Sequence, residues 1–205
     1  MCRNPLLLHP IYVVIPFLSE TFKMKHAFLA LIAFAFCYTV SAQSKLPNQP
    51  ATDPANAQAP FMRFPTIPPF KLLALDSSTY LTPADLKKNR KTIVMYFSPD
   101  CEHCKHQTEA FLADWDNFKD INIVMATYQP FEEMKEFNTH YKMYEHSNVK
   151  IGRDEKFVLP PFYKIHSLPY LALYDKKGNL ITTFEGTQKT ELILNALNEK
   201  ALASH

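Results

Sequence analysis

Glycine is nearly missing from this chain: three residues in 205, against sixteen prolines. That balance excludes a collagen-like or glycine-rich chain. A charge excess is missing too. The formal net charge is only +2, and no basic block stands out, so nothing points to a nucleic-acid partner. No internal repeat is visible. The apolar run at Ala27–Val40 falls short of the about 20 residues that span a bilayer. What is present is a composition 47% hydrophobic and 20% charged. That suits one globular domain with a sizeable core.

The N-terminus has the order of a secretory signal peptide. From Met24 a short basic head, Lys25–His26, leads into the apolar run, and "VSA" at Val40–Ala42 offers small residues for cleavage. Upstream, Pro5, Pro10 and Pro16 interrupt residues 1–23, so Met24 is a second candidate start. The bulky Phe36 argues against Cys37 as a lipidation site. Cleavage near Ala42 removes Cys2 and Cys37 and leaves Cys101 and Cys104 as the only cysteines. The expected organisation is a signal region at 1–42, a mobile proline-rich linker at 43–69 with seven prolines, and a folded domain at 70–205. The mature protein is expected in the periplasm or secreted.

Within the domain, "FKLLALDSSTYL" reads as two short strands around a Ser-Ser turn. Thr82 and Pro83 open a short helix as N-cap and first helical residue. "TIVMYFS" (Thr92–Ser98) and "INIVMAT" (Ile121–Thr127) are continuous apolar runs, the mark of strands buried on both faces. Cys104, Thr108, Phe111, Trp115 and Phe118 recur at helical spacing. So do Met134, Phe137, Tyr141 and Tyr144 after Pro130. "NVKIGRD" reads as a short strand and "FVLPPFYKI" as an interrupted helix. "PYLALYD" and "LITTF" flank a "KKGN" hairpin turn with Gly178 at the position needing positive φ. A last helix, from about Gln188 to Leu202, should bury Leu192, Ile193, Ala196 and Leu197. The order gives an α/β fold with a mixed sheet and a small leading hairpin.

"SPDCEHCKHQ" (Ser98–Gln107) carries the chemistry. A buried strand feeds a turn, and the turn opens a helix with C-x-x-C at its start. At a helix N-terminus the first amides lack partners and the dipole is positive. A thiolate on Cys101 would be favoured there, below the free value of about 8.5. Cys104 shares a stripe with Phe111 and Trp115 and should be shielded. One exposed and one shielded thiol is the asymmetry that disulfide exchange needs. A protonated His103 would tune the pair toward the thiolate, and Glu102 against it. Three other readings compete. A four-residue loop makes a poor structural staple. Cys101, His103, Cys104 and His106 are zinc-ligand types, but they crowd into one turn with no second motif to close a site. The spacing can also arise by accident. His140, His146 and His166 read as surface or core residues.

Strand, "PDCEHC", helix and the later "SLPYLALYDKKGNLITTFEG" together resemble the thioredoxin-like family. The likeness is nearest to extracytoplasmic bacterial thiol–disulfide oxidoreductases, including those of cytochrome maturation, and covers roughly Phe70–Leu202. It implies a three-layer sandwich with helices on both faces of the mixed sheet. It implies that Cys101 attacks, that Cys104 resolves, and that the two form the cycling Cys101–Cys104 disulfide. Pro169 would be cis, with Leu168 and Tyr170 beside it shaping the substrate groove. No cofactor or metal is required. Protein thiols and disulfides are the implied partners, with a membrane-embedded electron donor if the protein reduces its substrates, and a monomer is expected. The chain departs from the family at Met95, where thioredoxin has a buried aspartate, and at Gln107, where many relatives have glutamate. It departs again at Asp100, in place of the usual tryptophan. No proton acceptor for Cys104 follows from the resemblance. Two other functions fit less of the pattern: a thiol peroxidase, suggested by "SPDC", and a metal chaperone using the same cysteines.

Overall fold

The computed structural model describes residues 58–199. The expected signal region, the alternative start at Met24 and the first part of the linker lie outside the described residues. The last helix is shorter than the expected Gln188–Leu202: it runs over Thr190–Leu197, with Asn198 as its C-cap.

The elements follow the apolar pattern. After a short helix α1 (Pro60–Arg63) come β1 (Leu72–Ala74) and β2 (Tyr80–Leu81), then a single 3₁₀ turn at Pro83–Asp85. Next are β3 (Thr92–Tyr96), α2 (Glu102–Ala113), α3 (Trp115–Phe118), β4 (Asn122–Thr127) and α4 (Phe131–His140). The chain continues through β5 (Val149–Arg153), α5 (Leu159–Tyr163), β6 (Tyr170–Tyr174), β7 (Leu180–Glu185) and α6 (Thr190–Leu197). One seven-stranded sheet runs in the order β2-β1-β5-β4-β3-β6-β7. β3, β4 and β5 are parallel, while β1, β2, β6 and β7 pair antiparallel. Every residue of β3, β4 and β6 is buried, which is why those segments read as unbroken apolar runs.

Alternation within β3 builds two cores. Ile93, Met95 and Phe97 face Phe111, Phe118, Met134, Phe137 and Ile193 from α2, α3, α4 and α6. Val94 and Tyr96 face the other way, against Leu159 and Tyr163 of α5 and Phe61 of α1. Helices therefore cover both faces of the sheet, as the resemblance implied. At Gly152 of β5 an added Cβ would lie 2.7 Å from Leu72 Cβ, so the close approach of β1 requires glycine there.

The structure corrects several expectations. The segment expected to be a mobile linker is docked from Pro60 onward. Phe61 packs on Tyr163 at 6.1 Å between ring centroids, and Phe70 is buried. Ile67 N–H donates to Gly178 O at 3.0 Å and Leu180 N–H to Pro65 O at 2.8 Å. This proline-rich stretch covers the start of β7, an edge strand whose free groups need partners. The long helix expected through Phe118 breaks at Asp114, the junction of α2 and α3. Tyr144 lies beyond the end of α4 and is 62% exposed. Leu192 is 47% exposed, outside the face of α6 that buries Ile193, Ala196 and Leu197.

Candidate active site

β3 delivers the chain to the C-terminal edge of the parallel strands. There Phe97 N–H still donates to Ala126 O at 3.0 Å. Ser98, Pro99 and Asp100 then turn into α2, with Cys101 N–H donating back to Ser98 O at 3.2 Å. The turn is braced. Ser98 Oγ donates to Asp100 Oδ1 and accepts from Gln129 Nε2 at 2.9 Å, and Arg153 Nε holds Gln129 O at 2.8 Å. Three strand ends are thus tied together beneath the loop.

Cys101 is the N-cap of α2, with extended backbone (φ −79°, ψ 115°). Its carbonyl accepts from Cys104 N–H at 3.0 Å and Lys105 N–H at 3.1 Å. The Glu102 and His103 amides, which precede these bonds, have no intrahelical acceptor and lie at this end. Cys101 is half-buried, Cys104 is 0% exposed, and both are free thiols. Burial pushes the Cys104 thiol well up; the nearby Cys101 adds to this, while a backbone hydrogen bond from Ser98 opposes it.

Glu102 and His103 are both exposed. Glu102 does not act alone, because Lys105 Nζ lies 2.6 Å from its Oε1. That hydrogen bond and ion pair hold the Glu102 carboxyl below the usual range, with smaller help from His106 and His103. The same partner raises Lys105. His103 contributes its carbonyl, which accepts from Thr187 Oγ1 at 3.0 Å.

The Leu168–Pro169 peptide is cis, as the resemblance implied. β3 and β6 are antiparallel neighbours with Tyr96 opposite Tyr170, so the end of one strand and the start of the other meet at the same edge. Residues 186–188 bridge the two parts. Gly186 N–H donates to Pro169 O at 2.8 Å, Thr187 holds His103, and Gln188 N–H donates to Gln107 Oε1 at 2.7 Å. Leu168 is half-buried against both cores. Tyr170 is different: its ring is 2% exposed and packs on Tyr163 at 5.1 Å, inside the core rather than on a groove. The sequence reading noticed Gln107 only as a departure. The structure makes it the buried latch between α2 and the 186–188 loop, with its Nε2 unpartnered. Lys105 was missed, though its position three residues after Glu102 was a readable signal. The Thr187 and Gln188 contacts span too much sequence to leave one.

Among the described residues no group of three or more His, Cys, Asp or Glu side chains could hold a metal ion.

A family model described as a thioredoxin-like domain matches residues 84–201. A secreted Mycobacterium tuberculosis disulfide oxidoreductase, described as homologous to E. coli DsbE, aligns over 63% of this chain and 94% of its own at 15% identity, TM-score 0.52. A provisionally named DsbE thiol:disulfide interchange protein from Chlorobium tepidum aligns over 65% and 96% at 18% identity, TM-score 0.54. The MTB dsbF structure, in mixed oxidised and reduced forms, aligns over 64% and 97% at 15% identity, TM-score 0.53. No curated protein matches the sequence.

Proposed function

The chain belongs to the thioredoxin-like family, and from that premise we propose that it is an extracytoplasmic thiol–disulfide oxidoreductase working through Cys101 and Cys104. One observation carries the reading. Two thiols sit one turn apart at the start of one helix, the first reachable at the N-cap and the second wholly buried.

The Cys101 thiolate attacks one sulfur of a substrate disulfide. The substrate S–S bond breaks, and its other sulfur leaves as a thiolate that takes up a proton. A mixed disulfide now joins Cys101 to the substrate. Cys104 gives up its proton, and its sulfur attacks the Cys101 sulfur, expelling the second substrate thiolate. Two electrons have passed to the substrate, and the protein holds a Cys101–Cys104 disulfide. Run in reverse, the same steps oxidise a substrate dithiol. Leu168 and Pro169 form the ledge on which an extended substrate segment lies beside Cys101. In the reducing direction a membrane-embedded donor restores the dithiol, since the compartment outside the cytoplasm is oxidising. The signal-like order of Lys25–Ala42 supports that location, and intact mass of the exported protein checks it.

The test is reduction of insulin disulfides by the full chain in the presence of a dithiol. Activity should appear and should vanish in Cys101→Ser. Persistence of activity in that variant would overturn the assignment.

A further inference from the structure

A cleft of about 460 Å³ opens directly beside the candidate site. One wall is Pro99 and Asp100, the two residues before Cys101, so whatever enters it lies next to the reacting sulfur. The facing wall is α4 and its end, with Glu133, Glu136, Phe137 and Tyr141. Three carboxylates therefore line it against two basic side chains, Lys105 and His140, the latter edge-on to Tyr141 at 4.7 Å between ring centroids. The Lys105 ammonium is already engaged, 2.6 Å from the Glu102 carboxylate. Glu133 and Glu136 are exposed, and their carboxylates make no ion pair or side-chain hydrogen bond among the described residues. The rings of Phe137 and Tyr141, 4.6 Å apart between centroids, add an aromatic wall. Unmatched carboxylates over aromatic faces complement a cation on an apolar stem.

We propose that this cleft receives an arginine or lysine side chain of the protein substrate, placed close in sequence to the substrate's reacting cysteine. The inference deepens the exchange reading and rests on it. The cleft selects among disulfides by charge and raises the rate of encounter, while the sulfur chemistry stays with Cys101 and Cys104.

The test uses the reduced full chain near neutral pH and three peptides of equal length. Each carries one disulfide and differs only in the residue flanking a cysteine: arginine, glutamine or glutamate. The arginine peptide should react roughly tenfold faster than the glutamate peptide, with glutamine between them, and the spread should shrink in high salt. In Glu133→Gln/Glu136→Gln the arginine-to-glutamate ratio should fall toward one, and in Glu133→Lys/Glu136→Lys it should invert. Each ratio is taken on a single preparation, so a loss of active protein cancels. Equal rates for the three peptides in the natural chain overturn the inference alone. So does a ratio that survives both double variants. Failure to exchange with any of the peptides, or with insulin, removes the exchange reading and this inference together.

Discussion

One helical turn separates two environments at the candidate site. On the rim, Cys101 caps α2 among exposed Glu102 and His103. On the floor, Cys104 is wholly buried in the same core as Phe97 and Phe111. The side chains are identical, so any difference in their chemistry comes from what surrounds them. The rim offers free amides and solvent; the floor offers neither. Roles that look like residue properties are here properties of position.

The largest expected effect comes from deleting one sulfur at a time. Cys101→Ser should bring exchange down to the buffer background. Cys104→Ser should still attack but stall, accumulating a mixed disulfide visible by mass. If Cys101→Ser also accumulates the adduct, the two environments do not set the roles. Alkylation of folded, reduced protein sharpens the same contrast: Cys101 should be labelled and Cys104 should be spared until denaturant is added.

The floor position also predicts a pH dependence. Burial holds the Cys104 thiol neutral in the folded state, whereas an unfolded chain ionises it near about 8.5. The native state then binds a proton that the unfolded state releases. The stabilisation is complete below that pH and is lost as pH climbs from there toward the raised folded value. The decline can reach about 1.4 kcal/mol per pH unit. Urea unfolding of the reduced natural chain and of Cys104→Ala, followed from about pH 8 to 10, isolates it. The natural chain should lose stability more steeply; parallel curves would break the account.

Much of this contrast was legible in the sequence. Strands buried on both faces write unbroken apolar runs, and "TIVMYFS" and "INIVMAT" became β3 and β4. The helical stripe from Cys104 through Phe111 told which cysteine would be covered. What stayed hidden depends on contacts between distant residues. The docking of Pro60–Phe70 rests on Phe61 meeting Tyr163 and on backbone bonds to Gly178 and Leu180, and its prolines give no strand or helix period to read. Spacing also put Tyr144 and Leu192 on buried faces, because a periodic pattern does not mark where α4 ends or how α6 is rotated.

Gln107 belongs to the hidden group, and it tests how firmly the floor is closed. Its Oε1 is the acceptor for Gln188 N–H across 81 residues of sequence. Gln107→Ala leaves that amide without its partner, which should cost about 1–3 kcal/mol of stability in denaturant unfolding. It should also loosen the 186–188 loop over α2. Cys104 should then become slowly alkylated in folded protein, where the natural chain shows none. Unchanged protection would mean that the aromatic core alone shields the floor.

The smallest effect is expected on the rim. The sequence suggested that Glu102 opposes a Cys101 thiolate, but the structure matches its charge with Lys105 in a pair whose side chains are 69% and 33% exposed. Replacing Glu102 with glutamine removes a negative charge and frees a positive one, and both changes favour an anion at Cys101. Water screens both. Alkylation of Cys101 near neutral pH should therefore rise, by less than about twofold, and the rise should fade in high salt. Lys105→Met in the same background should return the rate toward that of the natural chain. A tenfold change, or a fall, would place Glu102 in closer electrostatic contact with the sulfur than this geometry allows. The rim would then share the sensitivity of the floor, and the contrast between them would narrow.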